Sequence, residues 1–141
     1  MLLSLFMMIA LQPGPVDDLA AEGERLGRYS TLFAVCAPYY TVDLAVGQSL
    51  AEDFERRSTD AGWTADQRMS AYDRGRELER AEIGIIMNAE GVTPRQARRH
   101  LRQMLPRLQS RCQALAREVP GSIADVDAGD QRVDAMARGI R

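Results

Sequence analysis

The sequence has little of what most catalytic and metal sites are built from, since it contains one histidine, one tryptophan and two cysteines. A single histidine, His100, excludes a metal site made of several histidines. It also leaves one possible base for a Ser-His-Asp or Cys-His arrangement, and neither a thiol nor an acid lies near it in the sequence. A glycine-rich phosphate loop is absent as well. We therefore predict a protein that is not an enzyme and that has no catalytic residues, no cofactor and no metal ion.

Two groups of acidic residues look like sites at first sight. Residues 125–130, Asp-Val-Asp-Ala-Gly-Asp, begin like a calcium-binding loop. The register fails, because Gly129 falls one position early and Met136 stands at the twelfth position, where such a loop needs a bidentate glutamate. The acids of the predicted third helix, such as Asp73 and Glu77, follow the pattern of a solvated helix surface. Neither group predicts a site.

The composition favours helices. Aromatic residues make up 6% of the chain and all 18 basic residues are arginine, whereas alanine, leucine, glutamate and methionine are plentiful. A length of 141 residues suits one domain with a real core. The net charge of -2 gives no reason to expect nucleic-acid binding. The exclusive use of arginine is typical of a GC-rich bacterial genome.

Residues 1–15 contain the most hydrophobic run of the chain, Leu-Leu-Ser-Leu-Phe-Met-Met-Ile-Ala-Leu. The run is too short to cross a bilayer as a helix, but it fits the apolar region of a secretory signal peptide. It lacks a preceding basic residue and a clear cleavage site. We predict a signal peptide or hydrophobic anchor here, which would be the chain's only contact with a membrane. The alternative is a buried N-terminal core helix.

Hydrophobic periodicity predicts an all-α fold, a small antiparallel bundle of about four helices in residues 16–121. The helices are expected at 17–37, 41–61, 65–90 and 93–121. Gly84 would lie inside the third helix, and Gly23 and Gly27 would weaken the early half of the first. Residues 122–141 are small, polar and rich in aspartate and glycine, so we predict a flexible tail with at most a short helix at 131–138.

The fourth helix is the best defined. Thr93 and Gln96 form a capping box around Pro94, which suits the first helical position. Apolar residues then recur at alternating spacings of three and four, at Ala97, Leu101, Met104, Leu108, Cys112, Leu115 and Val119. Pro106 falls on the polar face, where we expect it to kink the helix rather than break it.

The two cysteines are predicted to form a disulfide. Cys36 ends the first helix and Cys112 lies on the apolar stripe of the last, so both point inward. In an exported protein an even number of cysteines is most simply a disulfide framework. A bond closing a loop of about 77 residues would stabilise the fold by roughly 4 to 5 kcal/mol on chain-entropy grounds. The alternative is a pair of buried free thiols in a cytosolic protein.

Aromatic residues are expected to pack rather than to bind ligands. Trp63 lies in the turn before the third helix and should cover one end of the core. Tyr39 and Tyr40 follow Pro38, and packing at a helix corner is favoured over an exposed aromatic contact surface.

The polar face of the fourth helix carries the candidate binding residues, Arg95, Arg98, Arg99 and Arg102. Such a face is either a solvated surface or a surface for an anionic partner. We predict an exported, periplasmic or secreted bacterial protein that binds another protein with an acidic surface, as an inhibitor, immunity factor, chaperone or envelope accessory does. The competing prediction is a cytosolic DNA-binding regulator, because the turn before Thr93 followed by an arginine-rich helix is faintly similar to a helix-turn-helix. The oligomeric state is left open.

Overall fold

The structure, a computed structural model, describes residues 15–86, 88 and 90–140, so the signal-peptide prediction lies almost wholly outside it. These residues form five α-helices and two short β-strands. The elements are α1 (Pro15–Cys36), β1 (Thr41–Val42), α2 (Leu44–Asp60), α3 (Ala65–Ile83), α4 (Pro94–Glu118), β2 (Ile123–Ala124) and α5 (Val126–Gly139). The described part of the chain contains no helix with the length and apolarity that a bilayer crossing needs.

Helices α1 and α3 pack backbone against backbone through glycines. A Cβ atom on Gly27 would lie 2.1 Å from the carbonyl oxygen of Tyr72, and one on Gly75 would lie 1.9 Å from the carbonyl oxygen of Glu24. No residue with a side chain fits at such distances. Glycine was expected to weaken the start of α1, but the helix runs without interruption from Pro15. Tertiary packing outweighs the low helix propensity of glycine here.

The core lies where α1, the end of α3 and the second half of α4 meet. Its fully buried members include Leu32, Ile83, Leu105 and Leu115. The predicted disulfide joins Cys36 to Cys112, with 5.9 Å between their Cα atoms and both side chains fully buried. It fastens the end of α1 to the middle of α4.

Helix α3 ends earlier than predicted. It stops at Ile83 rather than near Glu90, because Gly84 adopts the left-handed conformation, with φ of 86°, and its amide donates to the carbonyl of Arg80 at 2.9 Å. Gly84 is therefore a helix terminator and not an interior glycine. His100 lies against this turn, and its Nε2 donates to the carbonyl oxygen of Gly84 at 2.5 Å. His100 is thus half-buried and ties α4 to the end of α3.

Helix α4 is continuous through Pro106, which is exposed, so the less favoured prediction of a break is wrong. The predicted apolar stripe needs two corrections. Leu105 was left out of it and is fully buried, whereas Ala97 was included and is exposed. The fully buried residues of α4 begin at Leu105, Leu101 and Met104 before it are half-buried against the core, and the stripe reaches solvent at Ala97.

Residues 123–139 form a strand and a helix rather than a loose tail, and the described part of the chain has five helices rather than the predicted four. Strand β2 pairs antiparallel with β1, with Thr41 opposite Ala124 and Val42 opposite Ile123. Helix α5 follows and buries Val133.

The aspartates and glycine that suggested a flexible tail have structural roles in α5. Asp125 is its N-cap and accepts from the amide of Ala128 at 3.2 Å. A Cβ on Gly129 would lie 2.0 Å from the ring of Tyr40, so this glycine admits the ring against α5. The expected packing role of Tyr40 is confirmed, since the residue is 3% exposed. Trp63, at the other end of the core, lies edge-on to the buried ring of Phe54.

Candidate binding surfaces

The four arginines predicted to bind a partner all lie on the first half of α4, and we call Arg95, Arg98, Arg99 and Arg102 the arginine surface. The capping box holds this end of the helix in place: Thr93 Oγ1 accepts from the amide of Gln96 at 3.2 Å, and Gln96 Oε1 accepts from the amide of Thr93 at 2.9 Å. All four residues of the arginine surface are exposed.

The arginine surface is uncompensated. Within residues 15–86, 88 and 90–140, none of the salt bridges includes any of its four members. The first turn of α4 carries no acid, and Arg95 adds a positive charge to the positive end of the helix dipole. This arrangement lowers the stability of the helix and leaves guanidinium groups available to carboxylates or phosphates.

Arg111, in the second half of the same helix, has the opposite environment. Its Nε donates to Glu79 Oε1 at 2.6 Å and its Nη2 donates to Oε2 at 3.1 Å, while Arg28 Nη1 donates to the same Oε2 at 3.0 Å. The side chain of Glu79 is completely buried. The hydrogen bonds to Glu79 raise the pKa of Arg111 despite partial burial. Glu79 thus joins α1, α3 and α4, which the sequence alone does not show.

A second polar group fastens α5 to α4. The hydroxyl of Tyr40 donates to Asp130 Oδ1 at 2.5 Å, and Gln113 Nε2 donates to Asp130 Oδ2 at 2.9 Å. Burial raises the pKa of Tyr40 well above its usual range, and the hydrogen bond to Asp130 raises it further. Every buried side-chain nitrogen and oxygen atom among the described residues has a hydrogen-bond partner, and we interpret this group as a structural contact.

A groove of about 780 Å³ runs between α1 and α2 and ends at Tyr72 and Arg76 of α3. Its apolar lining includes Phe33, Leu44 and Leu50, of which Leu44 is 64% exposed and Leu50 37% exposed. The sequence does not predict this groove. Leu50 and Phe54 are four residues apart and lie on one side of a helix, yet Phe54 is buried while Leu50 lies at the open edge.

Metal-binding geometry is lacking among the residues that the structure places, where no three His, Cys, Asp or Glu side chains are grouped to hold an ion.

Comparison with known proteins gives no identity for the chain: no protein family matches the sequence, and no curated protein and no solved structure is significantly similar to it. The function must therefore be argued from the surfaces themselves.

Proposed function

We propose that this chain is an exported, non-enzymatic helical protein, periplasmic or secreted, that acts by binding the acidic surface of another protein through the arginine surface. The observation that carries the proposal is the contrast between arginines within one helix. Arg111 is held by a buried carboxylate, whereas the arginine surface is exposed and unpaired in the described part of the chain.

The position of Arg95 supports a binding role. A cation in the first turn of a helix, as at Arg95, costs a few tenths of a kcal/mol up to about 1 kcal/mol. A partner's carboxylates would remove this cost, and the planar guanidinium group binds carboxylates in a bidentate manner. Residues that lower stability without a compensating contact in their own chain are often functional.

Export is supported by two observations. The disulfide is compatible with an oxidising compartment, and the apolar N-terminal run fits a signal peptide. The intact mass of the protein from its own host, with thiol labelling before and after reduction, tests this part. A shortened chain that is labelled only after reduction is expected, whereas a full-length chain with two free thiols would contradict export.

The competing prediction, DNA binding, receives less support from the geometry. The connection between α3 and α4 spans residues 84–93, whereas a helix-turn-helix joins its helices with a turn of three or four residues. A recognition helix contacts bases with its N-terminal residues, but Gln96 in the first turn of α4 already uses its side-chain oxygen in the capping box.

The test of the binding role compares two triple variants with the same change in net charge. Arg98→Glu/Arg99→Glu/Arg102→Glu reverses the arginine surface, and Arg25→Glu/Arg74→Glu/Arg138→Glu reverses three other exposed arginines. A partner captured by crosslinking in the periplasm of the host should be lost from the first variant and kept by the second. Equal capture by both variants, or salt-dependent binding to duplex DNA without any protein partner, would overturn the proposal.

A further inference from the structure

The groove between α1 and α2 has an apolar floor that is wide open at one edge. Phe33 of α1 packs directly on α2, where a Cβ on Gly47 would lie 2.9 Å from the ring. Beyond this contact the helices leave the groove of about 780 Å³, and Leu44 and Leu50 project from α2 into it while remaining exposed. Large apolar side chains gathered in one concave site are typical of a binding surface rather than of ordinary protein surface.

The charges along the groove are mainly acidic. Glu52 and Glu55 of α2 line it. Glu52 accepts a hydrogen bond from Gln48 at 3.0 Å, and neither glutamate takes part in an ion pair within the described chain. Asp53, between them, is paired with Arg56 at 2.5 Å and with Arg57 at 2.8 Å. Asp53, which points away from the groove, is thus paired with arginines, whereas Glu52 and Glu55, which line the groove, have no ion pair in the described chain.

The cationic side chain at the groove, Arg76, is already bonded. Its Nη1 donates to Asp73 at 3.0 Å, and its guanidinium lies 5.9 Å from the centre of the Tyr72 ring. A ligand in the groove would therefore meet apolar side chains along its length and unpaired carboxylates at one edge.

From these observations we propose that the groove binds an amphipathic helix of a partner protein, with an apolar stripe facing Phe33, Leu44 and Leu50 and lysine or arginine residues beside it. Helix-in-groove binding needs a concave apolar surface between two helices, and the third helix then completes the packing. Glu52 and Glu55 select a basic helix over an acidic one. This surface is distinct from the arginine surface in both elements and charge, so the two proposals can fail separately.

The first experiment measures fluorescence anisotropy of two labelled model helices with the full chain. Both peptides carry leucine at helical spacings of three and four, with lysine at the flanking positions in one and glutamate in the other. The lysine peptide should bind at least about tenfold more tightly than the glutamate peptide, and its affinity should fall as salt rises.

The second experiment places the binding in the groove. Leu44→Ser/Leu50→Ser should weaken the lysine peptide by about tenfold or more, since the variant removes two central apolar contacts. The matched control is Leu78→Ser/Met136→Ser, which replaces residues that are 40% and 44% exposed outside the groove and should change the affinity by less than about twofold. Glu52→Gln/Glu55→Gln should weaken binding and flatten its salt dependence.

Several results would overturn the proposal. These are equal affinity for the two peptides, no binding of the lysine peptide at low salt, or equal losses in the Leu44/Leu50 and Leu78/Met136 variants. Sedimentation of the chain alone adds one more: a dimer that Leu44→Ser/Leu50→Ser converts to a monomer would mean that the groove is covered by a second copy. Circular dichroism of each variant checks that the fold is kept. Benzophenone crosslinking from the peptide to α1 and α2 of the unmodified chain tests the location of the binding site without any substitution.

Discussion

The arginines of the first half of α4 and Arg111 of its second half have opposite environments. From Pro94 to Met104, a range in which the structure describes every residue, no side chain is buried and four arginines face solvent. From Leu105 onward the helix contributes Leu105, Leu108, Cys112 and Leu115 to the core. Arg111 in this half is fully occupied by Glu79. Within α4, Arg111 is structural because the buried carboxylate of Glu79 is within reach, whereas the arginine surface has no such partner in the described part of the chain.

The largest expected effect comes from removing the disulfide that joins the second half of α4 to α1. Cys36→Ala/Cys112→Ala removes a bond between residues 76 positions apart in sequence. The free energy of unfolding should fall by about 4 kcal/mol, because the unfolded chain gains the entropy that the closed loop denied it. Urea unfolding followed by circular dichroism measures the change. An unchanged midpoint would mean that packing alone holds α1 to α4.

The next largest effect should come from removing the buried carboxylate of Glu79, which pairs with Arg28 and Arg111. Glu79→Gln leaves Arg28 and Arg111 without their buried partner and should destabilise the fold by about 3 kcal/mol. Glu82→Gln is the control, because Glu82 bonds Arg28 at 2.8 Å but is 47% exposed, and it should cost less than about 1 kcal/mol. Equal losses in urea unfolding would show that burial of Glu79 does not set its contribution.

A smaller effect, with a pH signature, is expected where α5 joins the second half of α4. Tyr40→Phe removes the hydrogen bond to Asp130 and should cost about 1.5 kcal/mol at neutral pH. The pKa of Tyr40 is raised by burial and by Asp130. Its stabilisation is therefore complete below the unfolded pKa of about 10 and is lost as pH rises above it, because the unfolded state releases the proton first.

The alkaline part of this prediction is measured by urea unfolding at several pH values. The unmodified chain should lose more stability between pH 9 and 11, roughly the range in which tyrosine ionises, than Tyr40→Phe does. Burial also raises the pKa of Tyr29 and of Tyr72, so a residual slope is expected in both proteins. Tyr39→Phe removes the neighbouring hydroxyl and serves as the control. Parallel pH profiles for the unmodified chain and Tyr40→Phe would contradict the assignment.

The smallest effect should have opposite signs at the two ends of α4. Arg95→Glu places an acid at the positive end of the helix and should stabilise the fold by a few tenths of a kcal/mol up to about 1 kcal/mol. Arg117→Glu, in the last turn, should destabilise it by a similar amount for the same reason. Thermal unfolding at low ionic strength measures both, and high salt should shrink both shifts. Stability changes of the same sign at both ends would mean that the helix dipole is not the reason why an arginine at the start of α4 lowers stability.

Local signals in the sequence predicted much of the fold. The capping boxes at Thr64 and Thr93 mark the starts of α3 and α4, and both are present. The helical class followed from composition and periodicity, and the pairing of Cys36 with Cys112 followed from their positions on inward faces. These features depend on residues a few positions apart, or on there being one possible pair of cysteines.

What the sequence could not provide depends on contacts between distant residues. Tyr40 and Asp130 are 90 positions apart, and α5 is stable only because Gly129 and Val133 meet a surface that the rest of the chain builds. The complete burial of Glu79 depends on α1 and α4 lying beside it, which the sequence does not show. The groove depends on how closely α1 and α2 approach, which periodicity does not encode. The exposure of the arginine surface was predicted, but its lack of ion pairs required the positions of the acids.

The disulfide also determines what a protease can do to this chain. The bond makes residues 36–112 a covalent ring that contains all of α2 and α3, together with the connection from Gly84 to Thr93. A single cut anywhere in that ring leaves both fragments attached, and the nicked molecule keeps its mass, apart from one added water, until it is reduced. After a cut before Cys36 or after Cys112, only non-covalent packing holds the smaller piece to the rest of the protein. In a compartment rich in proteases, one cleavage within the central half of the protein therefore leaves its fragments covalently joined, whereas one cleavage within α1 or α5 does not.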